Sequence, residues 1–318
     1  MPSPPGTETR LSEAQEADTD AEALRERIVA FMGNASTEIA PHDEPRLEAL
    51  GNYLASGARV YVAHPPSAAL SDVVRVAGKL QALGFRAVPH IAARRIASAA
   101  QLGSALEQLR ASGVDEILLI AGDRAIAAGA FSSTLQILAS GALIEAGFRT
   151  LGVAGHPEGH KQIGPSSLWA ALTEKQEYAE RTGSAMHIVT QFGFNPATVL
   201  AWEQRLIEHG ITLPVHVGIA GPTPLPQLIR YAMMCGIGAS LSAVVRNLSA
   251  MGNLPHLAVN PDEVLVQLVR GRARSGVTRI VQPHFFSFGG TLATARWMQA
   301  VMGGHIQVDS EGGRFALS

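Results

Sequence analysis

The chain has 318 residues, 47% hydrophobic and 16% charged, with 25 basic against 27 acidic side chains for a net charge of −2. Such a composition fits a globular protein of one large α/β domain or two ordinary ones, and a near-neutral charge without a basic patch argues against a nucleic-acid partner. Cys235 is the only cysteine, which excludes an internal disulfide and a cysteine-built metal site, while the lack of a long apolar run or a signal-peptide pattern leads us to expect no membrane association and a cytoplasmic location.

Residues 1–12 are polar and proline-rich and read as a disordered N-terminus. Residues 13–33 read as a helix with Leu24, Ile28, Phe31 and Met32 on its buried face. Across residues 34–303, strand patterns at 35–39, 60–64, 87–91, 116–122, 150–155, 186–191, 215–220 and 278–285 alternate with helical patterns. The helical patterns lie at 71–83, 99–111, 135–146, 168–181, 196–209, 224–235, 261–274 and 291–301. Residues 304–318 form a short tail able to fold as a hairpin around Glu311, Gly312 and Gly313. Eight strands alternating with helices predict an α/β fold, a (β/α)8 TIM barrel with an extra N-terminal helix and a short C-terminal tail. The alternative, a doubly wound open sheet, lacks its Gly-x-Gly-x-x-Gly turn after the first strand.

In a barrel the ligand site lies where the strands' C-terminal ends meet the following loops. Those ends are polar here. In "GVAGHPEGH", His156 and His160 lie four apart, but Pro157 and the flanking glycines oppose the helix that would put both on one face as metal ligands. The stretch therefore reads as a loop leaving a strand. Glu38 sits in a strand expected to be buried, where desolvation would raise its pKa toward a usable proton donor; a salt bridge to an arginine is the plainer alternative. Asp123 follows Gly122 at another strand end and reads either as a ligand-facing carboxylate or as a turn or helix cap. His64, His90, His156 and His160 are strand-end donors suited to a carbonyl-rich or anionic cofactor, whereas His187 and His216 lie deeper and read as core histidines. Gln191, at a strand tip, suits the edge of a heterocycle or a turn. Residues 287–291 read either as a phosphate-binding helix entry or as helix entry alone. Cys235, beside Met233 and Met234, reads as core packing.

Taken in order, Ser36-x-Glu38-x-x-Pro41, Pro89-His90, Gly122-Asp123, "GVAGHPEGH", "HIVTQFGFNPATVLAWEQRLIEHGITLPVHVGI" and Arg230 with Cys235-Gly236 resemble the methylenetetrahydrofolate reductase family. The resemblance runs from about Ser36 to His284. It implies a flavin-dependent barrel that reduces 5,10-methylenetetrahydrofolate to 5-methyltetrahydrofolate through noncovalent FAD, as part of one-carbon metabolism and methionine biosynthesis. NADH, NADPH or a reduced protein would be the electron donor, and assembly as a homo-oligomer is left open. It further implies Glu38 as the acid and Asp123 as the carboxylate beside the flavin and folate rings. Flavin contacts would come from His64, His90, Gly122, Asp123, Ser132, Gly155, His156, His160 and Lys175, and folate contacts from Glu38, Asp123, Gln191 and Phe286. The sequence departs from the family at Ala63-His64, at Ile39-Ala40 and at Ala121, where an arginine commonly precedes the Gly-Asp pair. A folate-binding barrel of another class, such as a methyltransferase, and a non-catalytic partner subunit are the competing readings.

Overall fold

Strands β1 (Ser36–Ile39), β2 (Arg59–Val62), β3 (Arg86–Ala92), β4 (Glu116–Ile120), β5 (Thr150–Gly155), β6 (Ala185–Thr190) and β7 (Val215–Ala220) precede two short strands, β8 (Thr223–Pro224) and β9 (Ala258–Val259), and then β10 (Ile280–Phe286). All but β8 and β9 are parallel and close into an eight-stranded barrel in the order β1-β10-β7-β6-β5-β4-β3-β2. The expected TIM barrel is the observed fold. The computed structural model describes residues 7–235, 258–309 and 312–318. The first six residues of the expected disordered stretch, Gly236 and Glu311 lie outside the described residues.

The alternation of side chains along each strand explains the closure. Tyr61, Val88, Leu118 and Val189 pack together inside the barrel, while Val60, Val62, Ile117, Leu119, Leu151 and Val153 join the layer between barrel and helices. The outer ring comprises α1 (Thr7–Met32), α2 (Leu47–Leu50), α3 (Leu70–Ala82), α4 (Ala99–Ala111), α5 (Thr134–Ala139), α6 (Ala142–Glu145), α7 (Pro165–Thr182), α8 (Pro196–Glu208), α9 (Leu225–Cys235), α10 (Asp262–Arg274) and α11 (Thr291–Met302). Their starts follow ordinary capping chemistry: Ser98, Ser133 and Asn195 side chains accept hydrogen bonds from first-turn amides of α4, α5 and α8. The helix expected over 135–146 is split at Gly141, whose φ of 78° places it in the left-handed region. The N-terminal helix begins at Thr7, earlier than expected, and buries Leu24, Ile28, Phe31 and Met32. The tail forms the expected hairpin, β11 (Ile306–Val308) against β12 (Phe315–Leu317). No described helix is long and apolar enough to cross a membrane.

The barrel floor is polar. Glu116, at the start of β4, is fully buried; its Oε2 accepts from Arg59 Nε at 3.1 Å and lies 3.0 Å from Arg86 Nε. Above it the Tyr61 hydroxyl meets His187 Nε2 at 3.1 Å and His216 Nδ1 at 3.4 Å, with the two imidazoles stacked 4.1 Å apart. His187 and His216 are therefore core histidines, as their depth in the strands predicts. Burial pushes the His187 imidazole down to about 3 and His216 further down, so both are neutral at ordinary pH.

Gly218 in β7 fixes the mouth above this floor. A Cβ there would stand 2.4 Å from the Thr190 carbonyl oxygen and 2.8 Å from the Phe286 ring. Gly218→Ala is expected to destabilise the protein by roughly 1–3 kcal/mol, the usual scale of overpacking. A denaturation midpoint equal to wild type would show that the seam relaxes freely.

Candidate active site

Glu38 leaves the rim of β1 facing the barrel axis. Its Oε2 lies 3.3 Å from His90 Nε2 of β3 and 3.9 Å from His284 Nε2 of β10. His284 is fully buried, and its Nδ1 hydrogen-bonds the Ser36 hydroxyl at 3.0 Å across the seam where Ser36 and His284 are in register. Ser287, from the stretch considered for phosphate, instead donates its hydroxyl to the Glu38 main-chain carbonyl at 2.7 Å and closes the same seam. The expectation of a raised Glu38 pKa is corrected. Burial pushes the carboxyl up, but the nearby imidazoles of His90 and His284 outweigh it and hold it below the ordinary range. The partners are histidines rather than the arginine of the alternative reading. Burial in turn lowers the His90 imidazole, opposed by Glu38. The two groups act as one coupled pair.

At the end of β4 stands Asp123. Gly122, with φ 86°, turns the chain after β4, and an added Cβ would meet Ala92 Cβ at 3.2 Å. Asp123 caps no helix, because α5 begins at Thr134 and is capped by Ser133. Its carboxylate is half exposed and lies 3.9 Å from Arg95 Nε, while that guanidinium donates to the carbonyls of Pro65 and Pro66 at 2.8 and 2.7 Å. His64 is buried nearby, and burial with the Arg95 charge lowers its imidazole to about 4. On the other side of Glu38, Phe286 stacks with Phe288 at 5.9 Å and packs against Phe192 at 5.5 Å, forming an aromatic wall that Tyr231 extends. Phe288 has φ 45°, a conformation that costs a bulky residue backbone strain. Gln191 follows β6, where its Oε1 accepts from the Phe192 amide at 3.1 Å and its NH2 is left to donate elsewhere.

The remaining predicted contacts gather in a second place. A cavity of about 630 Å3 opens between the ends of β4 and β5 and helix α7, with Ser132, Gly155, His156, His160 and Lys175 in its walls. It does not include Glu38, His64, His90, Gly122, Asp123, Gln191 or Phe286. The "HPEGH" histidines leave β5 in a turn, with their rings edge to face at 5.1 Å. Burial lowers His156 to about 4, so it is a neutral donor and acceptor. Lys175 sits on the inner face of α7, 6% exposed, and makes no hydrogen bond or ion pair among the described residues. Burial pulls its ammonium down to about 8, opposed only by neighbouring Glu174. A buried cation without a carboxylate, beside imidazoles and serine hydroxyls, fits the phosphates of a dinucleotide such as FAD. Gly155 has a packing reason as well, since a Cβ there would stand 2.5 Å from Ile188 and 3.0 Å from Trp202.

His284 and Arg94 are the residues that sequence reasoning missed. The signal that finds His284 is register, which sets it against Ser36 two residues before Glu38. The Cys235 side chain, expected in the core, lies outside the described residues, and Met233 near it is 60% exposed.

A sequence model of the methylenetetrahydrofolate reductase family matches residues 65–285. The match includes His90, Gly122, Asp123, Ser132, Gly155, His156, His160, Lys175 and Gln191, and leaves Glu38, His64 and Phe286 outside its bounds. Among solved structures, a candidate phosphonomutase from Burkholderia cenocepacia J2315 aligns with a TM-score of 0.47 at 10% identity, covering 88% of this chain and 99% of its own. An oxaloacetate acetylhydrolase aligns with a TM-score of 0.44 at 10% identity, covering 88% and 85%. Likenesses of this size carry no argument about function.

Proposed function

The chain belongs to the methylenetetrahydrofolate reductase family, and on that premise we propose that it reduces 5,10-methylenetetrahydrofolate to 5-methyltetrahydrofolate with FAD as its bound cofactor. The observation that carries the reading is Glu38 clasped between His90 and His284 at the barrel mouth, together with a separate cavity whose buried Lys175 has no anionic partner. When bound, FAD supplies the hydride that reaches the methylene carbon of the folate.

The chain's own residues do the rest. Opening the folate's five-membered ring requires a proton on the departing nitrogen. Glu38 is the group placed to hand it over: His90 and His284 hold its carboxyl ionised in the free protein, and exclusion of water by bound folate raises it so that it takes up and delivers the proton. His284, fixed by Ser36, keeps the carboxylate aimed. The Asp123 carboxylate faces the cationic iminium that ring opening creates. Gln191 offers its free NH2 to the edge of the pterin, and the Phe286–Phe192 wall offers a face for it to stack on. Lys175, His156 and His160 hold the phosphate-bearing end of the cofactor. NADH, NADPH or a reduced protein delivers electrons to the same site, and the methylated product serves methionine synthesis in the cytoplasm.

Incubation of the purified chain with FAD tests the reading. A protein-bound flavin spectrum that bleaches anaerobically with NADH or NADPH is expected. Failure to take up flavin under any loading condition contradicts it and favours a flavin-free folate-binding barrel.

The coupled pair gives a pH prediction. His90 contributes to holding the Glu38 carboxyl down, so His90→Asn lets burial raise it. The rate of methylenetetrahydrofolate reduction, which falls as the acid deprotonates, is expected to fall at a higher pH in the variant than in wild type. An unmoved pH profile in stopped-flow would separate His90 from the acid.

A further inference from the structure

Resting on the reading of the cavity as an FAD site, we propose that Arg94 is a second phosphate-binding cation of that cavity, and that it ties phosphate occupancy to the loop carrying Asp123. Arg94 lies in the 3-10 turn after β3, far in sequence from the other cavity residues, yet its side chain lines the same cavity as Lys175. Ala121 occupies the position before Gly122-Asp123, and the Arg94 backbone N–H donates to the Ala121 carbonyl at 2.9 Å. The arginine is thus brought against Ala121, a position whose side chain carries no charge.

The way Arg94 is held leaves its charge available. Its Nε donates to the Ser132 carbonyl at 2.9 Å and its Nη1 to the Arg124 carbonyl at 3.2 Å. Its own carbonyl accepts from the Ala128 amide at 2.8 Å. Carbonyl oxygens orient a guanidinium without neutralising it. Among the described residues no carboxylate lies within ion-pair distance of Arg94, and its Nη2 donors make no hydrogen bond. Adjacent Arg95 contrasts with it, facing Asp123 and the proline carbonyls. The Arg94 charge also helps lower the His160 imidazole, as expected of groups sharing one cavity. A planar fork with free donors, braced by the segment from Ala121 to Ser132, suits phosphate oxygens and transmits their presence to Asp123 within that segment.

Fluorescence titration of the full chain with FAD and with riboflavin, which has the same ring system but no phosphate, tests this. Arg94→Gln is expected to weaken FAD roughly tenfold or more and leave riboflavin within about twofold. Unchanged FAD affinity, or an equal loss of both ligands, overturns the proposal, the second outcome marking a loop brace only. Should Arg94→Gln fail to fold, Arg94→Lys keeps the charge, and FAD binding within a few-fold of wild type is expected. Lost FAD binding in that folded variant also overturns it. If the wild-type chain takes up neither flavin, the cavity reading fails and the proposal with it. If wild type takes up FAD and the arginine variant binds it equally well, only the proposal falls.

Discussion

Glu38→Gln is expected to leave flavin reduction by the nicotinamide donor near its wild-type rate and to slow methylenetetrahydrofolate reduction by roughly 10²–10⁴-fold, the usual worth of a positioned general acid. The substitution keeps the volume and the hydrogen-bonding reach of the side chain but cannot hold an exchangeable acid proton. The remaining His90 imidazole is a poor substitute: burial lowers its pKa, and the loss of the Glu38 charge removes the group that raised it. Glu38 also contributes to stability. Its folded pKa is below the ordinary 4.5, so the contribution is fully present above that value and is lost as pH falls through the folded pKa. Comparing the two half-reactions at neutral pH separates this effect from catalysis, since a merely unstable variant loses both. Normal folate turnover in Glu38→Gln would remove Glu38 from the acid role.

Lys175→Met is expected to stabilise the cofactor-free protein while weakening FAD binding. The ammonium is lowered from 10.5 to about 8 by burial, a difference worth about 3 kcal/mol of stability withheld at neutral pH. The sign follows from linkage. A base whose folded pKa is lowered destabilises the fold below that folded value, and the penalty fades as pH rises through 8 toward 10.5. Denaturant unfolding of the variant and wild type should therefore differ most at pH 7 and converge at alkaline pH. FAD, by contrast, loses the buried cation that meets its phosphates. Loss of stability together with unchanged FAD affinity would assign Lys175 to packing instead.

The barrel was legible because strand and helix periodicities alternate along the chain, and the alternation of Val60, Tyr61 and Val62 already encodes an inner and an outer layer. Which strand ends carry polar residues was legible too. Partnerships across the barrel were not. Glu38 meets His90 and His284 only because β1 lies between β2 and β10 in a closed sheet, and the sign of its pKa shift depends on those distances rather than on burial alone. Arg94 was invisible as a cavity residue because it reaches the site from the turn after β3, while the resemblance directed attention to Ala121. The break at Gly141 needed a backbone angle that a regular apolar pattern over 135–146 conceals.

The most direct test is anaerobic stopped-flow mixing of the FAD-loaded, prereduced protein with 5,10-methylenetetrahydrofolate, followed by identification of the folate product. Reoxidation of the flavin with stoichiometric 5-methyltetrahydrofolate is the predicted result. A flavin that stays reduced in the presence of saturating methylenetetrahydrofolate would contradict the account.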